Sequence, residues 1–131
     1  MRTASCRCGA ITAACDGEPI RVSVCHCLSC QLRSGSAFAA QARFPVAAVT
    51  VNGQTHTYTA TSDSGALADF HFCPRCGATI AYAQREVPDQ VAIPLGAFAD
   101  PHAFGAPTYQ VYETRQFDWV RVDAPILGPG D

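Results

Sequence analysis

A small all-β domain with a minor α component is the fold class this 131-residue sequence predicts, and three observations predict it. Short alternating or β-branched runs recur between turn residues along almost the whole chain. A single stretch, residues 28–33, reads as a helix, stopped by Gly35. Cysteines gathered in tight clusters offer metal ligands that can pin a core of this size. The length predicts one domain over residues 1–131, with its core at about 4–122 and a tail over 123–131.

The strand segments, in order, are residues 10–14, 21–24, 37–44, 49–51, 55–60, 67–72, 78–83, 90–94, 108–112 and 117–122. Turn chemistry separates them: Asp16-Gly17-Glu18-Pro19, Asn52-Gly53, Ser62-Asp63-Ser64-Gly65 and Ala106-Pro107. Asn52-Gly53, following Val51, predicts a hairpin turn with positive φ. Alanines in 45–48 allow one helical turn, and the Gly- and Pro-rich residues 127–131 form an end that frays. No run is long, so the expected architecture is one of short antiparallel strands. No solenoid repeat is evident.

Composition excludes several classes. Apolar residues make up 48% and charged residues only 15%, with a formal net charge of −2. All nine basic residues are Arg and no two are adjacent, which argues against a nucleic-acid or polybasic membrane surface. No apolar stretch approaches the ~20 residues of a membrane span. The start, MRTASCRCGAI, lacks the apolar run of a secretory signal, so a cytoplasmic, reducing setting is expected. So low a charge permits a homodimer without requiring one.

The strongest signal is the eight cysteines. Seven fall in clusters: Cys6 and Cys8, then Cys25, Cys27 and Cys30, then Cys73 and Cys76. Neighbours one or two residues apart are too strained to pair as disulfides, whereas they chelate well. With Zn–S near ~2.3 Å, tetrahedral ligand sulfurs sit about 3.8 Å apart, closer than the ~6.5–7 Å between residues i and i+2 of a flat strand. Cys6 and Cys8 must therefore sit on a bend, and Gly9 and Gly77 follow their pairs where a positive φ turns backbone N–H groups toward sulfur. Cys6, Cys8, Cys73 and Cys76 make a closed four-sulfur set, for which sulfur geometry admits iron as well as zinc. Cys25, Cys27 and Cys30 leave one ligand position open, unless His26, His71 or Cys15 fills it. His26 lies between two ligands in sequence, and Cys15 on an alternating stretch reads as a small buried hydrophobe.

A zinc dication with three thiolates carries a net negative charge, which damps its power to polarise water and suits capture of an incoming thiol. The rest of the sequence offers no competing mechanism. There is no nucleophile elbow, phosphate loop or dinucleotide glycine pattern. Ser62, Asp63 and Ser64 read as a turn, and His56, His71 and His102 as ordinary surface or core residues. The Cys73/Cys76 pair precedes a strand-like segment rather than the helix a redox motif needs. Arg33 is a candidate anion contact for a substrate carboxylate, or else a solvated surface side chain.

Three motifs carry a family resemblance: Cys6-x-Cys8-Gly9, Cys25-His26-Cys27-x-x-Cys30-x4-Gly35 and Phe72-Cys73-x-x-Cys76-Gly77. Together with Asp100-Pro101 and the later aromatics Tyr112 and Trp119, they resemble the glutathione-dependent formaldehyde-activating enzymes, in a compact form, and the related domain of centromere protein V. The resemblance covers about residues 4–122. It implies a β-tent fold with a structural zinc at Cys6, Cys8, Cys73 and Cys76, and a second, reactive zinc at Cys25, Cys27 and Cys30. It also implies a carbon–sulfur lyase reaction joining formaldehyde to a small thiol such as glutathione. Two alternatives stand beside it: a zinc domain that binds or carries a thiol–aldehyde adduct, and an interaction module in which zinc only stabilises the fold. Arg33 is the first basic residue after Cys30, behind Gln31 and Leu32.

Overall fold

The computed structural model describes residues 1–127, and all but the first residue of the expected fraying end at 127–131 lies outside the described residues. Among the described residues ten strands form two sheets, so the chain is mostly β, as predicted. In the smaller sheet β1 (Arg2–Ser5) pairs antiparallel with β2 (Thr12–Cys15), and β2 with β5 (Val49–Asn52). The larger sheet also contains β3 (Arg21–Cys25), β4 (Ala39–Pro45), β6 (His56–Thr61), β7 (Leu67–Phe72), β8 (Thr79–Gln84), β9 (Gln90–Pro94) and β10 (Tyr109–Val111). Its spatial order is β10-β3-β4-β9-β8-β7-β6.

The core lies between the sheets. Ala4 and Ala13, paired across β1 and β2, are both fully buried, and their small side chains let the sheet pack closely on Phe44, Ile80 and Ile93. Cys6, Cys15 and Cys73 belong to this same core. Cys15 is thus the buried hydrophobe its alternation predicts, and burial pushes its thiol up to about 11.

The helix α1 (Leu28–Ser34) occupies the predicted stretch, with Cys27 as its N-cap and Gly35 as its C-cap at φ 66°. The alanine-rich turn appears as a 3-10 turn at Val46–Ala48, and two further ones, Leu95–Phe98 and Glu113–Arg115, were not expected. No helix among the described residues is long and apolar enough to cross a membrane.

Four expectations are corrected. Residues 117–122 form turns rather than a strand. Gln116 Nε2 donates to the Val120 carbonyl and Arg121 Nη1 to the Asp118 and Val120 carbonyls, satisfying the backbone locally instead of through a neighbouring strand. Residues 2–5 form a strand that the sequence reading left out; it pairs with β2 across the loop at 6–11, and Arg2 ties it down further. Arg2 donates to the Ala103 carbonyl at 3.0 Å, reaches Glu18 at 3.2 Å and lies 4.5 Å from the Phe104 ring centre. The pairing is not all antiparallel, since β10 runs parallel to β3. Asn52-Gly53 does not close a hairpin: β5 and β6 lie in different sheets, and the turn carries the chain from one to the other.

Gly53 sits at φ 101°, and a Cβ there would lie 2.7 Å from the Ala10 carbonyl oxygen and 2.6 Å from Ile11 Cδ1. Backbone strain and collision therefore act together. Gly53→Ala is expected to cost about 1–3 kcal/mol or more, measured as a drop in the urea midpoint at unchanged slope.

Candidate metal centres

Two hairpin loops build the first cluster. Between β1 and β2, the Cys6 N–H bonds to the Ile11 carbonyl at 3.0 Å and the Gly9 N–H to the Cys6 carbonyl at 3.2 Å, while the Ile11 N–H points at Cys6 Sγ at 3.2 Å. The loop between β7 and β8 repeats the pattern. There the Cys73 N–H bonds to the Ala78 carbonyl at 3.0 Å, the Gly77 N–H to the Cys73 carbonyl at 2.8 Å, and the Arg75 N–H lies 3.4 Å from Cys73 Sγ. Gly9 and Gly77 make these returns at φ 84° and 77°, as the sequence predicts.

Cys6, Cys8, Cys73 and Cys76 converge with all sulfurs within 4.8 Å of one another. The Cys6–Cys8 and Cys8–Cys73 separations are both 3.7 Å, matching the ~3.8 Å edge of a tetrahedral sulfur site. N–H groups of Ala78 and Cys8 pull the Cys76 thiol down to about 6. At Cys8 the Ala10 N–H favours the thiolate, but desolvation and the three neighbouring sulfurs outweigh it and push the thiol up to about 11. None of the eight cysteines is in a disulfide.

The second cluster lies at the end of β3 and the start of α1. Strand alternation puts Cys25 and Cys27 on one face and His26 on the other, and Cys30 follows in the first helical turn. The three sulfurs lie within 4.8 Å of one another, and Val111, Tyr109 and Tyr112 pack around them. Thiols of Cys25 and Cys30, with backbone N–H groups of Cys30 and Ser29, pull Cys27 down to about 3. Cys25 is pushed up to about 12, chiefly by its contact with Cys27, and Cys30 is raised by both neighbours. One thiolate is thus favoured and two resisted, because like charges this close repel; a bound dication is what lets all three ionise. The donor set fits such an ion.

No histidine joins the trio among the described residues. His26 is fully buried, its Nε2 2.8 Å from Gln110 Oε1, and the Gln110 amide donates to the Val122 and Ala124 carbonyls. That arrangement makes Nε2 the protonated nitrogen. His71 Nδ1 lies 2.9 Å from Thr57 Oγ1 on the outer strands.

Cys25, Cys27 and Cys30 form one wall of a cavity of about 70 Å³. Arg33 lines it too, its guanidinium carbon 4.6 Å from the Tyr82 ring centre and 5.6 Å from that of Phe70. Its Nε is buried with no hydrogen-bond partner. The opposite walls hold residues that the sequence reading passed over. Tyr82 donates to Gln41 Oε1 at 2.8 Å, and Gln41 Nε2 to Ser23 Oγ at 2.7 Å, a buried polar chain in which burial raises the Tyr82 phenol. Gln41 and Arg43, two apart on β4, are polar residues buried in a central strand, and that signal was available in residues 37–44. Tyr112 lines the cavity at φ 58°, in the left-handed region, and burial, then Cys27 and Cys25, raise its phenol.

Asp63, read from sequence as part of a turn, reaches across from the β6–β7 connection to the start of α1. Its carboxylate accepts from the Leu28 N–H at 3.0 Å and the Ser29 hydroxyl at 2.7 Å, and Arg115 lies 3.5 Å away. An anion there also opposes the positive end of the helix. Asp63→Ala is expected to cost about 0.5–2 kcal/mol, as loss of a helix cap does, read by urea denaturation of the metal-replete protein.

Comparison with known proteins agrees with this geometry. Among solved structures, a crystal structure of a Rhodobacter sphaeroides protein shares the fold with a TM-score of 0.60 at 19% identity, covering 79% of this chain and 94% of that one. No curated protein sequence matches. The family described as glutathione-dependent formaldehyde-activating enzyme matches residues 1–115, a span that includes every clustered cysteine and the cavity walls through Tyr112. The chain belongs to that family.

Proposed function

We propose that the protein is a zinc-dependent enzyme of carbon–sulfur lyase type that joins a small, glutathione-like thiol to an aldehyde such as formaldehyde. The observation that carries this reading is the trio of thiols forming a wall of a cavity that Arg33 and Tyr112 also line. Cys6, Cys8, Cys73 and Cys76 would hold a structural zinc, and Cys25, Cys27 and Cys30 a second one. Bound there, zinc supplies a soft Lewis acid that lowers the pKa of an incoming thiol.

In the reaction the sulfur forms a bond to the aldehyde carbon, the carbonyl π bond breaks, and the thiol proton ends on oxygen. The chain's own groups position these partners. Arg33, steadied on Tyr82 and Phe70, lines the cavity and offers its guanidinium to a substrate carboxylate. Tyr112 lines the cavity, and its hydroxyl would serve as a hydrogen-bond donor for the aldehyde oxygen. Asp63 holds the loop at 62–65 against α1, which fixes that wall of the cavity beside the three cysteines.

Exchange NMR of a thiol–formaldehyde equilibrium tests the reading. The zinc-loaded protein is expected to speed exchange above buffer, and Cys27→Ser to abolish that gain while losing about one metal equivalent and keeping the fold. No gain over buffer with both metals bound would leave a thiol-binding domain without catalysis. Cys76→Ser is expected to lose metal and on the order of several kcal/mol of folding free energy, because the ion's binding energy is part of folding. Metal analysis and denaturation together check it.

A further inference from the structure

Outside the cysteine cavity runs a second, larger groove of about 610 Å³. The two adjoin, since Ser29, Arg33, Ser62 and Phe70 line both. The inner space, about 70 Å³, is the smaller of the two, so the body of a larger thiol held at the three cysteines extends toward the outer groove. Leu32, Tyr58, Phe70 and Phe72 make that groove apolar. Leu32 and Tyr58 are 85% and 65% exposed, an unusual state for such side chains facing a groove. Arg33 is the one charged side chain on its lining, at the junction with the inner cavity, with its buried Nε unpartnered.

We infer that this groove selects a thiol with a single carboxylate and an apolar or aromatic body over glutathione. The inference rests on the reading that Cys25, Cys27 and Cys30 handle a thiol. Charge complementarity carries it. One carboxylate near the sulfur meets Arg33, and the remainder of the molecule covers Leu32, Tyr58 and Phe72. Glutathione brings a second carboxylate and an ammonium group, neither of which meets a countercharge on the lining, and both of which would cover apolar side chains without burying apolar area of their own. The other charges of the site are placed elsewhere: Arg43 lines the inner cavity, and Arg115 lies beside Asp63.

Calorimetric titration of the metal-replete protein with 2-mercapto-3-phenylpropanoate, glutathione and the S-methyl ether of each tests the inference. The phenyl compound is expected to bind at least about tenfold more tightly than glutathione, and the same order is expected for the ethers, which report the groove without thiol ionisation. Leu32→Asp, at an exposed position where folding is not at stake, should erase most of that preference, and Arg33→Gln should weaken the phenyl ether about tenfold. Equal or tighter binding of the glutathione ether, or a preference untouched by Leu32→Asp, would overturn the inference. So would sedimentation showing a dimer that Leu32→Asp dissociates while neither ether binds, which assigns the groove to a second copy of the chain. The thiol reading is tested separately within the same data. Free thiols that bind no better than their ethers would remove it while the groove's preference stands, and a retained gain of thiol over ether with equal ethers would do the reverse.

Discussion

The convergence of two sulfur-bearing loops from different sheets is the constraint on which the rest of the structure depends. Cys6 and Cys8 lie between β1 and β2 of the small sheet, whereas Cys73 and Cys76 lie between β7 and β8 of the large one. Their sulfurs come within 4.8 Å of one another at the edge of the main core, to which Cys6 and Cys73 themselves belong. A core this rich in alanine buries modest apolar area per residue, so a cross-link between its two layers has a disproportionate effect on stability. The same convergence fixes where β7 and β8 sit, and with them Phe70 and Tyr82, the aromatic rings beneath Arg33.

Much of this was legible in the sequence because it is local. The spacing of Cys6, Cys8, Cys73 and Cys76 and the glycines after each pair carry the loop geometry within a few residues. Cys27 as a helix cap and Gly35 as its stop are equally local, and the span of α1 follows from them. What escaped the sequence depends on distant partners. The strand at residues 2–5, besides its local pairing with β2, is held by Arg2 reaching Ala103 and Phe104, about a hundred positions away. The aromatic stretch around Phe117 and Trp119 has strand-like composition, yet side chains from Gln116 and Arg121 satisfy its carbonyls first. Asn52-Gly53 has the right chemistry for its turn, while which strands the turn would join was a question of topology.

The candidate site divides in the same way. Its sulfurs are visible in six consecutive residues, but its walls are assembled from β4, β8, the β6–β7 connection and the segment after β10. Asp63 is the instructive case. In sequence it is a turn residue among serines, and in space its carboxylate holds the first turn of the helix that carries Cys30. Cys27 likewise has two roles, accepting from the Cys30 N–H at 3.4 Å as a helix cap while presenting its sulfur to the cluster. Loosening either contact therefore disturbs both the helix start and the spacing of the thiols.

The span of sequence each cluster encloses sets an order of assembly during synthesis. The trio is complete once residue 30 has left the ribosome, long before Tyr82, Val111 or Tyr112 exists to enclose it. The four-sulfur set stays half-built until residue 76 emerges, and the parallel partner of β3 comes later still. If Cys25, Cys27 and Cys30 hold an ion as proposed, the nascent chain can take it up while they are still an open loop, before the walls close around them. Loading a finished molecule from outside is a different problem, because the three thiols then lie in the wall of a formed cavity that Tyr82 and Tyr112 also line.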